Sequence, residues 1–213
     1  MYQRFTNGIQ QFCRWICYFF YLNVMWMIGA LLGGLILGFA PSTVALYTVT
    51  RKTALGEDTS IFRLFAQTYR KDFWKANLLG YVLAGFGILW FIDFRLALQM
   101  EGIISLILQC FLLLIGIVYL ILLIYIFPVY VHYQLKYWQY FKYAIAFGFL
   151  QPANFILMLF VMAGTYYFLA YLQGFIAILG FSLTAQLNMW IAFQLFKKVE
   201  SMGNRHIWRT RTE

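Results

Sequence analysis

The chain has 213 residues, 63% of them hydrophobic, 22% aromatic and only 11% charged. With a mean hydropathy of +0.74, this composition lies outside the range of soluble globular domains and excludes a water-soluble enzyme or binding module. A net charge of +9 would suit nucleic acid in a soluble protein. Here the Lys and Arg sit at the ends of apolar runs, where they set orientation and meet anionic headgroups, so the expected partner is membrane lipid and not nucleic acid.

In chain order, residues 1–21 mix Arg4, Gln10, Gln11 and Arg14 with Phe5, Ile9, Phe12, Trp15, Ile16 and Phe19 at spacings of three and four. That pattern predicts an amphipathic helix lying in the membrane interface. From Leu22 the chain carries no charge until Arg51 and Lys52, and its apolar length predicts a first span over about 22–46. Gly29 and Gly33, then Ala30, Gly34, Gly38 and Ser42, recur four apart and would form small-residue ridges that admit another helix backbone. Pro41 lacks a backbone donor, so this helix should kink there, with the Ser42 and Thr43 hydroxyls or water serving the freed carbonyl.

After Arg51 and Lys52, the stretch 60–75 places Ile61, Phe62, Phe65, Tyr69 and Phe73 at helical spacing beside Arg63, Arg70, Lys71 and Lys75, predicting a second interfacial helix. A lean span over about 76–94 ends at Asp93 and Arg95, and a third, over 103–127, is stopped by Pro128. His132, Lys136 and Lys142 stud an aromatic connector. Residues 143–196 contain no Asp, Glu, Lys or Arg, enough for two spans, about 153–172 and 175–196. Gln151-Pro152 should break the first and Gln173-Gly174 turn into the second. The basic tail 197–213 follows. The expectation is an all-α polytopic membrane protein, a single integral domain of five spans with two interfacial helices.

An odd number of spans puts the two ends on opposite sides. With the N-terminus outside and the C-terminus cytoplasmic, 13 of the 16 Lys and Arg lie inside, as the positive-inside rule favours. If the segment 1–21 crosses instead, there are six spans with the N-terminus inside and Arg14 buried in the bilayer. Intramembrane ionisable residues point to transport or catalysis, and this chain offers few. Asp93 reads as a headgroup-level anchor near Arg95, and His132 as a polar residue at a helix end. Cys13 and Cys17 lie one turn apart, but no further ligand is in sight for a metal. No phosphate-binding Gly-rich loop with Lys, His-Glu-x-x-His or Gly-x-Ser-x-Gly stretch is present, so neither an enzyme nor a cofactor is expected.

Asn23, Trp26, the Gly-rich run, Pro41-Ser42-Thr43-Val44-Ala45-Leu46, Arg51-Lys52, Phe65, Tyr69-Arg70-Lys71, Phe73, Asn77 and Gly80 resemble the YesL family of small bacterial membrane proteins. The likeness continues through Asp93, Tyr125-Ile126-Phe127-Pro128, His132, Ser182, Ala185 and Trp190, and so covers nearly the whole chain. The family usually has Pro-Ala-Thr where this chain has Pro-Ser-Thr. Its members tend to sit beside carbohydrate uptake genes, so the resemblance implies a context in the bacterial cytoplasmic membrane and supplies no catalytic residues. It implies an accessory or regulatory subunit packing against the permease subunits of a carbohydrate ABC importer, with Gly29, Gly33, Gly34, Gly38, Pro41, Ser42, Thr43, Arg51, Lys52, Phe65, Tyr69, Arg70, Asn77 and Gly80 as packing or partner residues. Asp93, Pro128 and His132 are further family-like positions. Two alternatives are a stand-alone solute transporter, for which no pair of broken, polar-lined helices is visible, and an importer pore subunit, whose Glu-Ala-Ala...Gly loop the chain lacks.

Overall fold

Residues 29–38, expected to form ridges along one span, instead turn the chain back on itself. In the computed structural model, which describes residues 2–57, 59–171 and 175–202, α1 (Tyr2–Leu32) and α2 (Ile36–Ala54) are separate helices joined at Gly33, Gly34 and Leu35. The Leu35 N–H donates to the Ala30 carbonyl at 2.8 Å and the Gly34 N–H to the Leu31 carbonyl at 2.9 Å, with Gly34 at φ 67°. This is a Schellman stop, and glycine takes its left-handed position without steric cost. Leu35 follows at φ 62°, which is strained for a residue with a branched side chain. A Cβ on Gly33 would strike the Gly38 backbone, and one on Gly38 the carbonyl of Ala30. The span expected over 22–46 is therefore corrected to a hairpin: small residues four apart serve a tight reversal as well as a straight ridge, and the left-handed glycine decides between them.

The pairings along the hairpin are antiparallel. Tyr18 hydrogen-bonds Thr53 at 2.7 Å, and the Trp26 indole N–H donates to the Thr43 hydroxyl at 3.2 Å. The segment expected to lie flat over 1–21 is continuous with α1, and residues 13–32 are long and apolar enough to cross a membrane. Likewise the interfacial helix expected over 60–75 and the span over 76–94 are one element, α3 (Ile61–Ala97), of 37 residues. Nothing between Lys75 and Ala76 breaks a helix, so the change from basic to apolar surface happens along its length.

α4 (Ile103–His132) passes through Pro128 instead of stopping there. A proline removes one ladder bond, and Pro128 is buried among packed neighbours that hold the last turn in place. α5 (Tyr137–Leu150) and α6 (Pro152–Tyr171) are separated at Gln151, as expected, with Pro152 opening α6 where its missing donor costs nothing. α7 (Phe175–Met202) continues past Lys197 and Lys198. The turn at 173–174 and the tail from 203 lie outside the described residues.

Among the described residues four helices are long and apolar enough to span a bilayer, over 13–32, 61–97, 103–132 and 152–171. The protein is an all-α, multi-pass membrane protein. α7 is its hub: Ala185, Met189 and Phe193 pack on α1 and α2, while Ile191, Ala192, Leu195 and Phe196 pack on the α4–α5 side.

α3 and α4 form a limb that outreaches the α1–α2 hairpin. Gly80 packs on Ala40, where a Cβ would come within 2.8 Å. Beyond that contact α2 has about 6 Å left before its turn, whereas α3 continues for about 25 Å to Ala97. Among the described residues α3 packs on α1, α2 and α4, and α5 reaches it near its start, where the Tyr137 hydroxyl donates to the Lys75 carbonyl. The far part of the limb is thus two helices packed on each other. The Trp90 indole N–H donates to the Leu112 carbonyl at 2.8 Å, and the Tyr119 hydroxyl to the Leu83 carbonyl at 2.9 Å. At its tip the Ala97 carbonyl accepts from Ser105 at 2.8 Å and from Gln109 at 3.0 Å, so side chains satisfy a helix-end acceptor that water would otherwise serve.

Candidate functional site

Most of the residues singled out in the first third of the chain meet in one seam between α1, α2 and α3. A Cβ on Gly29 would lie 2.5 Å from the Ser42 hydroxyl and 3.3 Å from the Phe65 ring. The Gly29 carbonyl accepts a hydrogen bond from the Tyr69 hydroxyl at 2.9 Å. Every residue of α2 over 40–47 is buried, Pro41, Ser42 and Thr43 included. Helix α2 stays helical through Pro41, and the Thr43 hydroxyl donates to the Phe39 carbonyl at 2.8 Å. On α3, Asn77 is buried and its amide donates to the Phe73 carbonyl at 3.0 Å. In lipid, apolar side chains gain little by hiding from acyl tails, so close backbone approach and interhelical hydrogen bonds hold such a seam.

A second constellation ties three helix ends together. Arg51, in the last turn of α2, is 7% exposed, and His132, the last residue of α4, is 3% exposed. The Arg51 Nε–H donates to His132 Nδ1 at 3.1 Å, and His132 Nε2 lies 3.2 Å from the Glu200 carboxylate on α7. Guanidinium nitrogens only donate, so His132 Nδ1 carries no proton and Nε2–H donates to Glu200. The ring is thereby fixed as a neutral bridge between a cation and an anion. That hydrogen bond holds the Glu200 carboxyl below the usual glutamate range. Tyr133, Phe193 and Phe196 pack around the imidazole. Asp72, 2% exposed, shares with Arg51, Thr48, Thr68 and Lys71 a cavity of about 100 Å³. A charge so enclosed persists only with partners, and this cluster clamps α2, α4 and α7 in register.

Comparison with known proteins covers the first of these two sites within one family match. The family described as "Protein of unknown function, DUF624" matches residues 19–94, which span the second half of α1, all of α2 and nearly all of α3. The chain is 34% identical to the uncharacterized protein YesV of Bacillus subtilis (strain 168) over 201 residues, 94% of this chain and 97% of that one. It is 32% identical to YteU of the same organism, over 91% of this chain and 87% of that one. The chain belongs to the YesL-like family. With YesL itself, also of Bacillus subtilis (strain 168), identity is 27% over 92% of both chains. No solved structure matches.

The YesL-like chain does not gather all its singled-out residues. Gly34 is in the α1–α2 turn with nothing within 4 Å of a Cβ, and so lies on no ridge. Arg70 is exposed, and Lys52 pairs with Glu57 at the surface. Asp93 is exposed, and Arg95 places its guanidinium over the Phe91 ring instead of pairing with it. Within the stripe over 60–75, Phe65 is buried and Phe62 is 62% exposed. Among the described residues no group of three His, Cys, Asp or Glu comes together that could hold a metal, and Cys13, Cys17 and Cys110 are free and exposed.

Sequence reasoning missed Glu200 and Asp72 in the YesL-like cluster. A signal existed for Glu200. It is the sole acidic residue between Glu101 and Glu213, so within that stretch no other carboxylate is available to His132. Asp72 lacked any such cue, being hidden among Arg70, Lys71 and Lys75.

Proposed function

We propose that the protein is an accessory subunit of a carbohydrate importer in the bacterial cytoplasmic membrane, packing against the permease through the outer face of the α3–α4 limb. The limb carries the argument. It stands beyond the α1–α2 turn with Phe86, Leu89, Phe111 and Leu114 exposed. Gly85 lies on the outer face of α3 with nothing within 4 Å of a Cβ, which leaves a notch where another helix backbone fits closely. The charged groups at the other end are engaged with one another in a buried clamp, an arrangement that fixes a scaffold. The carbohydrate context comes from the family resemblance.

The pairings also bear on orientation. Tyr18 on α1 meets Thr53, and Glu200 on α7 joins Arg51 and His132. The N-terminal half of α1 and the end of α7 therefore lie at one end of the bundle, which on this reading is one side of the membrane. Apart from Arg95, the Lys and Arg with described side chains lie toward that end. The positive-inside rule then makes it cytoplasmic and the α3–α4 tip external. On a background lacking Cys13, Cys17 and Cys110, Gln99→Cys should react with an impermeant maleimide in intact cells and Ser201→Cys should not. The opposite pattern would reverse the assignment.

The subunit reading is tested by purification from native membranes in mild detergent. A sugar permease should co-purify stoichiometrically with the wild type and be lost with Gly85→Leu, while the yield and melting temperature of the Gly85→Leu protein stay unchanged. Absence of a stoichiometric permease, or loss of binding only in parallel with loss of folded protein, overturns it.

A further inference from the structure

A pocket of about 440 Å³ lies between α2, α4, α6 and α7, within the range of about 300–1,000 Å³ common to small-molecule sites. It is lined by Phe39, Phe127, Phe181 and Leu169 among others, and its described lining residues include no charged side chain. Its one amide, with the Tyr47 hydroxyl, lies at one end. Asn188 is 2% exposed and sits beside the Tyr47 hydroxyl, one helical turn along α2 from Arg51. The Asn188 Oδ1 is buried and accepts no hydrogen bond from the protein. The Thr43 and Thr184 hydroxyls are already committed to the carbonyls of Phe39 and Gly180. The opposite end, about 12 Å away along α2, is aromatic: Phe39 and Phe181 pack against each other and on Trp26. Phe39, Met162, Tyr166 and Phe181 are also exposed at the protein surface, which gives the pocket a mouth toward the bilayer.

We infer that this pocket binds a neutral lipid with a hydroxyl headgroup, which enters sideways from the membrane. A buried amide atom without a partner costs about 1–3 kcal/mol, and a ligand group that bonds it recovers that cost. A hydroxyl supplies the donor that Asn188 Oδ1 lacks. The lining excludes other classes. A phosphate or carboxylate headgroup would lie in an apolar wall without a counter-ion. A sugar would bring several hydroxyls to a largely apolar lining in which the Thr43 and Thr184 hydroxyls are already committed, each unpaired group adding its own desolvation cost. The gradient also matches a lipid in its leaflet, with the polar end nearest Arg51 and His132 and the apolar end toward the level of the α1–α2 turn. This site is independent of the proposed limb interface.

The test uses the purified full chain in nanodiscs with three photoactivatable probes that share a C16 chain bearing a diazirine: hexadecanol, hexadecane and hexadecanoic acid. Crosslinked residues are mapped by mass spectrometry. Hexadecanol should label the Met162, Tyr166 and Phe181 region about tenfold more strongly than hexadecane, the difference expected for one hydrogen bond to a buried amide. Excess unlabelled hexadecanol should compete it away, and Asn188→Leu should reduce it to the hexadecane level. Equal labelling of the wild type by alcohol and alkane overturns the inference, as does crosslinking outside the pocket. Stronger labelling by the acid overturns the neutral class. The comparison among probes needs no variant, so a folding defect in Asn188→Leu leaves the inference testable.

Discussion

The α1–α2 hairpin and the α3–α4 limb are both antiparallel helix pairs, and they differ in how closely their backbones meet. The first turns on Gly33, Gly34 and Leu35, brings backbones together at Gly33 and Gly38, and buries α2 without interruption over 40–47. The second turns through a longer loop and is pinned by side chains donating to carbonyls, Trp90 to Leu112, Tyr119 to Leu83 and Ser105 to Ala97. Most of its outer surface is left to lipid or to another protein. In a medium as apolar as the side chains themselves, a pair that must stay put uses glycine contact, and a pair that presents a surface uses a few directional bonds.

The largest effect should come from the hairpin. Gly33→Leu or Gly38→Leu places a side chain where backbone now lies, and should fall in the rare class costing more than about 4–5 kcal/mol, seen as loss of monodisperse protein after extraction. Gly34→Ala has open space around it and should cost only about 1–2 kcal/mol of left-handed strain. If the Gly33 and Gly34 variants behave alike in yield and melting temperature, the two residues do not have the separate roles of contact and turn.

Next come the groups that anchor the hairpin. Arg51→Met leaves the buried His132 acceptor without its donor and should cost about 1–3 kcal/mol, measured as a drop in thermal midpoint in detergent. Phe65→Ala, behind Gly29 and Ser42, should cost about 3 kcal/mol through the cavity it leaves, whereas Phe62→Ala should change the midpoint little. Equal effects would mean that α3 does not pack on α2 along this face.

The limb should respond locally. Ser105→Ala removes one of two donors to the Ala97 carbonyl and should cost about 1 kcal/mol or less. Its signature is faster hydrogen exchange over 98–102 with the global midpoint unchanged. A global shift of several degrees would show that the limb and the bundle unfold as one.

The smallest effect is at Glu200. Its carboxyl is held low by the His132 bond, so its contribution is full at pH values above the ordinary glutamate range and is lost as the pH falls through the lowered value. On a partly exposed group this amounts to less than about 1 kcal/mol. The midpoint difference between wild type and Glu200→Gln should be present at pH 7 and vanish on acidification. A difference that grows as the pH falls would contradict the assigned bond.

Composition and apolar run length by themselves determined an all-α membrane protein, because uninterrupted apolar runs of about 20 residues satisfy their backbone in lipid as helices, whereas barrel strands alternate over about ten residues. The apolar helices now seen over 103–132 and 152–171, and the break at Gln151-Pro152, were legible for the same reason. The resemblance drawn from Pro41, Arg51, Tyr69 and Asn77 marked the segment that forms the seam, although not its shape. Only tertiary structure decided that residues 29–38 reverse the chain. Glycines four apart suit a ridge and a turn equally, and the choice falls to Gly34 taking a left-handed backbone and to the Gly33–Gly38 contact. Tertiary structure likewise joined Arg51, His132 and Glu200, which are 81 and 68 residues apart in sequence. No local pattern encodes such a meeting, because an ion is stable inside the bundle only when distant helices deliver its partners to one place.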